Sequence, residues 1–134
     1  MTIDAFIVRP EDKSSALFFV LDKLTRNGKT LVFVSTRYHV DYLLALIGKS
    51  FPCEGIYGKM DTDQRSSALD GFRKNKERAI LIVTDVAARG LDIPLVQNVI
   101  HYDYPSNHKT FLHRSGRTAR KDELGHTIAL ISNN

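Results

Sequence analysis

The chain has 134 residues, 43% hydrophobic and 25% charged, with one cysteine and a formal net charge of +4. These proportions suit one globular domain and exclude a disordered, collagen-like or disulfide-stapled chain. No apolar run reaches the roughly 20 residues of a membrane helix, and no basic-then-apolar leader opens the chain, so a soluble, intracellular protein is expected. The basic balance favours a polyanionic partner. Cys53 has no second cysteine or zinc-spaced cluster around it, and no metal site is expected.

Ile3 to Val8 reads as a short strand. Pro10-Glu11-Asp12 then opens a helix with the inward stripe Leu17, Val20, Leu21 and Leu24, closed by Asn27-Gly28. Thr30 to Val34 is continuously apolar, which suits a parallel strand covered on both faces. Ser35 or Thr36 caps the next helix, whose stripe is Val40, Leu43, Leu44 and Ile47. Cys53 to Tyr57 is a third strand ending at Gly58. Asp61, with Gln64 three residues on, forms a capping box for a helix that turns Ala68, Leu69 and Phe72 inward. Arg73 to Arg78 reads as a solvated loop before the most apolar strand, Ala79 to Val83. After an irregular stretch come a strand at Val96 to Tyr102, a polar helix at Asn107 to Arg117 and a last strand at Thr127 to Ile131. This alternation predicts one α/β domain: a doubly wound parallel sheet with helices on both faces and right-handed crossovers.

In such sheets ligands bind beyond the carboxyl ends of the strands. The residues there are Ser35-Thr36-Arg37, Gly58-Lys59, Thr84-Asp85 and Tyr104-Pro105, a hydroxylic and cationic edge suited to phosphates. The least ordinary segment is His113 to Arg120, which sets Arg114, Arg117 and Arg120 three residues apart. Like charges at that spacing weaken a helix, so local stability does not account for them. A polyphosphate clamp does. Gly28-Lys29-Thr30 ends like a phosphate-binding loop, but the required earlier glycine is Lys23 and the segment opens a strand instead of a helix.

Thr84-Asp85-Val86-Ala87-Ala88-Arg89-Gly90-Leu91-Asp92 and the His113 to Arg120 segment resemble motifs V and VI of the DEAD-box RNA helicases. Leu31 to Thr36 resembles motif IV, and Tyr57-Gly58 through Arg65 to Phe72-Arg73 resembles the Gln-x-x-Arg region. The likeness covers essentially the whole chain, residues 1–134, as the family's second, C-terminal RecA-like lobe. Tyr57 stands where the family usually has histidine, Thr62 where it has the glutamine, and Ala119 where it has glycine. With Gly90 to Ile100, the alanine variant is similar to a nucleolar, ribosome-biogenesis branch.

The resemblance implies a lobe that holds ATP and RNA only together with an N-terminal RecA-like lobe of the same protein, which supplies the phosphate loop and the Mg2+ ligands. It implies ATP contacts from Gly90, Asp92, Arg117 and Arg120, with the two arginines as arginine fingers and Asp92 on the ribose. His113, Arg114 and Arg89 are expected in interlobe or structural roles. Thr36, Arg37, Gly58, Arg65 and Thr84 are expected on RNA sugar and phosphate, which makes binding sequence-independent. The lobe alone is expected to be monomeric and inactive, and to act in the nucleus or nucleolus if the branch holds, in the cytoplasm otherwise. The alternatives are a non-catalytic RNA- or protein-binding module and a lobe of a DNA helicase or translocase.

Overall fold

The apolar run Thr30–Val34 lies fully buried at the middle of a six-stranded sheet. The computed structural model describes residues 2–26, 28–75, 78–117 and 125–132. Its elements are β1 (Thr2–Val8), α1 (Lys13–Phe19), β2 (Thr30–Val34), α2 (Arg37–Ile47), β3 (Cys53–Ile56), α3 (Thr62–Lys74), β4 (Ile80–Thr84), α4 (Asp85–Arg89), β5 (Asn98–His101), α5 (His108–Ser115) and β6 (His126–Ser132). The strand order is β1-β6-β5-β2-β4-β3 and every pairing is parallel.

Alternate residues of β2, β4 and β5 feed two cores. Val32, Val34, Ile82 and Leu130 pack with Leu17 and Leu21 of the first helical segment and with Val40, Leu43 and Ile47 of α2. Leu31, Phe33, Leu81 and Val83 pack with Ala68, Leu69 and Phe72 of α3 and with Ala87 and Ala88 of α4. The expected two-faced, doubly wound sheet is therefore present. β2 and β4 are neighbours, yet the chain leaves β2 for one face and β4 for the other. This opens a crevice at their carboxyl ends, where Thr36 and Thr84 sit.

Three local readings change. The first helix is a 3-10 turn at Pro10–Asp12, an α segment and a wide π turn at Val20–Leu24. The wide turn, closed by Thr25 N–H on Val20 O at 3.0 Å, throws Leu24 off the 3.6-residue stripe, and Leu24 is 37% exposed rather than inward. The irregular stretch after β4 contains α4, a helix too short to show a period. Arg73 and Lys74 belong to the last turn of α3 instead of a loop. Gly28, at φ +79°, makes the left-handed turn into β2 as its place after the helix requires.

Candidate functional site

Each strand end facing the crevice doubles as a helix cap. Thr36 Oγ1 accepts the His39 N–H at 3.2 Å and starts α2. Thr84 Oγ1 accepts the Ala87 N–H at 3.4 Å and starts α4. Asp61 caps α3 through the Asp63 N–H at 3.3 Å. Extended residues with short polar side chains at these points satisfy the orphan amides of the first helical turn. The Thr84 hydroxyl is thereby buried in capping, while Thr36 stays exposed.

Arg37, the first residue of α2, is exposed and lies over the Tyr57 ring, 4.5 Å from its centroid. Arg65 is half-buried. Its guanidinium donates to Met60 O at 2.9 Å and Gly58 O at 3.4 Å, bracing the loop that carries Gly58. Arg65 thus shapes this loop as well as lying beside it.

The motif V and VI segments are joined by a buried ion pair. Arg114, only 2% exposed, donates to both Asp85 oxygens at 2.8 and 2.7 Å, to Asp103 O at 2.7 Å and to His101 Nδ1 at 3.3 Å. Its guanidinium also stacks over Phe33, 5.0 Å from the ring centroid. Arg114 is therefore enclosed by the lobe's own packing. Its fork needs a planar, bidentate acceptor, and the first residue of α4 supplies one.

His101 and Asp103 were not singled out by any motif. His101 is wholly buried against Phe111, with ring centroids 4.7 Å apart, and its Nε2 lies 3.5 Å from Ser115 Oγ. Burial, with the Arg114 charge added and Asp85 opposing, pushes its pKa down to about 4. Burial raises the Asp103 carboxyl. Hydrogen bonds from Lys13 Nζ and Ser35 N–H, both 2.8 Å, and the charges of Lys13 and His39 outweigh this and hold it below its ordinary value. The only signal for this network in the sequence was the polar triplet His101-Tyr102-Asp103 closing an apolar strand.

A pH dependence follows. The unfolded chain takes up the His101 proton near pH 6.5 and the folded chain only near pH 4. Stability is complete above that window and falls as pH drops through it, by roughly 3 kcal/mol at most. Urea unfolding followed across the window should lose this part of its slope in His101→Asn. An unchanged slope would show that His101 is not the titrating group.

Asp92, His113 and Arg117 share a cleft. Asp92, Ile93, Pro94, Leu95, Leu112, His113, Gly116 and Arg117 line a surface cleft of about 570 Å³. Asp92 extends its carboxylate fully into solvent, 3.7 Å from Arg73. The Arg73 guanidinium also donates to the Asp92 carbonyl, so a residue expected in a solvated loop anchors the motif V turn. Arg117 is held from behind: its Nη2 donates to Ala88 O at 3.3 Å, and its carbonyl accepts the Val96 N–H at 2.9 Å. Gly90 is exposed, and a Cβ there would meet nothing within 4 Å, so the lobe's own packing does not demand the glycine. His113 also lines a second cleft of about 420 Å³ between α4 and α5, with Asp85, Arg89, Asn107, Lys109 and Thr110. Arg120, with Thr118 and Ala119, lies outside the described residues.

The arrangement can hold a phosphorylated ligand between a cation and a carboxylate on a surface that is open on one side. Among the described residues no three His, Cys, Asp or Glu side chains stand close enough to hold a metal ion.

Comparison with known proteins agrees with this geometry. The family described as "Helicase conserved C-terminal domain" matches residues 12–122. The mouse (Mus musculus) ATP-dependent RNA helicase DDX54 is 43% identical over 128 residues, covering 94% of this chain and 14% of the mouse protein. The yeast DEAD-box splicing factor Prp28 superposes with a TM-score of 0.88 at 29% identity, over 98% of this chain and 29% of that one. Domain 2 of the DEAD-box helicase Mss116p, bound to an RNA duplex, gives a TM-score of 0.78 at 26% identity, over 98% of this chain and 54% of that one. The chain thus spans a minor part of its full-length relatives. Its sheet order, its motif V and VI segments locked by Arg114 and Asp85, and these likenesses agree: the chain belongs to the helicase C-terminal domain family, as the second RecA-like lobe of a DEAD-box RNA helicase.

Proposed function

We propose that residues 1–134 act as one lobe of an ATP-dependent RNA helicase, closing on an upstream lobe that carries the ATP phosphates and Mg2+. Arg117 and Arg120 supply positive charge to the terminal phosphates during hydrolysis, and Asp92 accepts from the ribose hydroxyls. The observation that carries this reading is the single cleft lined by Asp92, His113 and Arg117. ATP fits the residues present: an exposed carboxylate and an arginine held from behind. Mg2+ chemistry would neutralise the phosphates, and no described cluster of this lobe competes for the ion.

Thr36, Arg37, Gly58, Arg65 and Thr84 form the RNA side of the same crevice, reading sugar and phosphate. Because the Thr84 hydroxyl is taken up in capping, the contact there falls to the backbone of the motif V turn, and Arg65 contributes by setting the Gly58 loop. The Mss116p complex, a domain of this kind on an RNA duplex, supports RNA as the polyanion. Similarity to DDX54 supports the nucleolar, ribosome-biogenesis branch. Arg117 placed beside Asp92 argues against a purely non-catalytic module.

The isolated, monomeric lobe should hydrolyse no ATP and should bind unrelated single strands weakly and equally. Its log affinity should fall with log salt by about 0.7 per phosphate contacted. Titration of two unrelated oligonucleotides at two salt concentrations, beside an ATPase assay, checks this. Turnover above that of Arg117→Ala, or a strong preference for one strand, overturns the reading.

A further inference from the structure

The solvent face of α2 carries a pair of tyrosines outside every motif. Tyr38 is 73% exposed and Tyr42 43%. They stand one helical turn apart, their ring planes 8° from parallel and their centroids 6.4 Å apart. Such a pair strengthens a helix modestly. Yet α2 is already fixed by the Thr36 cap and by Val40, Leu43 and Ile47 in the core, so helix stability leaves the bare side of Tyr38 without a purpose.

The Tyr38 ring is held from the protein side. Tyr42 covers one face of it, and His39 meets it at 72° with centroids 5.7 Å apart. His39 leans in turn on the buried Tyr102, 6.0 Å away. A run of rings therefore leads from the core of the lobe out to Tyr38. His39 also ties this run to the crevice: its Nδ1 lies 3.1 Å from Thr36 Oγ1, and its backbone N–H donates to the same oxygen. Arg37, with an exposed side chain lying over Tyr57, stands between Thr36 and Tyr38 in the chain. The platform of rings begins where the residues proposed for sugar and phosphate end.

A fixed, open aromatic face beside a hydroxyl and a cation matches the two halves of a nucleotide, with the backbone on the polar pair and the base on the ring. Stacking asks for no charge. The exposed Asp41, 3.9 Å from Arg37, opposes a phosphate at the rings far more than it opposes a base. An apolar side chain of a protein partner would also cover the tyrosines, but it would make no use of Thr36 and Arg37 next to them.

We infer that Tyr38, backed by Tyr42, is a stacking platform for an unpaired base of the RNA strand whose sugar and phosphate lie on Thr36 and Arg37. The inference rests on the RNA reading of those two residues and adds to it a contact with the base itself. Every base has a flat face, so the contact tolerates any sequence. A base inside a duplex has no face free, so the platform favours the single strand.

The test is an NMR titration of the full chain, at one salt concentration, with a short single-stranded RNA of mixed sequence and with a strand of the same length and backbone that lacks its bases. The intact strand should bind about fivefold or more tightly than the abasic one, and it alone should move the ring protons of Tyr38 and Tyr42 upfield. The doubly substituted Tyr38→Leu, Tyr42→Leu chain, whose spectrum also reports its fold, should bind both strands as the unsubstituted chain binds the abasic one. Arg37→Ala should weaken both strands alike. Equal binding of the two strands by the unsubstituted chain, or a preference for the intact strand that survives in the leucine variant, would overturn the platform and leave the backbone reading standing. Binding of neither strand would overturn both.

Discussion

Asp85→Ala is expected to remove about 3–5 kcal/mol of folding stability, because it strips a buried guanidinium of its counter-charge. Arg114 is 2% exposed and Asp85 25%, so the pair is far from the screened surface pairs that are worth a fraction of that. The loss compares with a total of about 5–15 kcal/mol for a domain of this kind, and it should appear as a large fall in the urea midpoint with little change in slope. Asp103 O and His101 would remain as acceptors, but neither carries negative charge against Arg114. Pairing Asp85→Ala with Arg114→Met should recover much of the loss, since the penalty belongs to the unpaired charge more than to the missing bridge. An unshifted midpoint in Asp85→Ala would mean that Arg114 finds solvent.

Arg117→Ala, in a protein joining this lobe to its upstream partner, is expected to lower kcat for ATP by about 10³–10⁵ while RNA affinity changes little. The guanidinium is held by Ala88 O and the Arg117 backbone by the Val96 N–H, so on the proposed reading its charge is in place before phosphate charge develops. Such preorganisation acts on the transition state far more than on the ground state. Arg65→Ala should do the reverse. It releases the Gly58 loop, so RNA affinity and RNA stimulation fall while Arg117 stays available for hydrolysis. In the proposed two-lobe protein, closure couples the two ligands, so each variant should show some of the other's defect. Steady-state ATPase with and without saturating RNA, set beside direct RNA titration, separates them. Loss of RNA binding with intact turnover in Arg117→Ala would assign motif VI to RNA.

Most of the sheet was legible because its strands are unbroken β-branched and apolar runs, as at Leu31 to Val34 and Ile80 to Val83. Such runs leave few conformations other than buried parallel strands. Helix stripes were legible where the turn stayed at 3.6 residues, as in α2 and α3. They failed at Leu24, where backbone hydrogen bonding widened the turn and no side-chain pattern announced it. Spacing marked the motif residues as a set, and only the family resemblance set Arg114 apart from Arg117 and Arg120. Arg114, Arg117 and Arg120 look equivalent along the chain. Only the packing of α5 against β5 and α4 sends Arg114 inward and leaves Arg117 at a cleft. The anchoring of Asp92 by Arg73 joins segments that are distant in sequence, with no local signature.

The pairing of β1 with β6 bears on how the chain is made. Asp4 and His126, joined at 2.7 Å, lie 122 residues apart in sequence, and among the described residues β1 pairs with no other strand. During synthesis the first strand must therefore wait for the last. Until then Ile3, Phe6 and Ile7, which stay partly exposed even afterwards, are an open apolar edge of the kind that nascent-chain holdases cover and that seeds aggregation when they do not. Contacts of such span are the slowest to close. Docking of β1 onto β6 is then the step at which the rest of the sheet, already assembled around β2, gains its final strand.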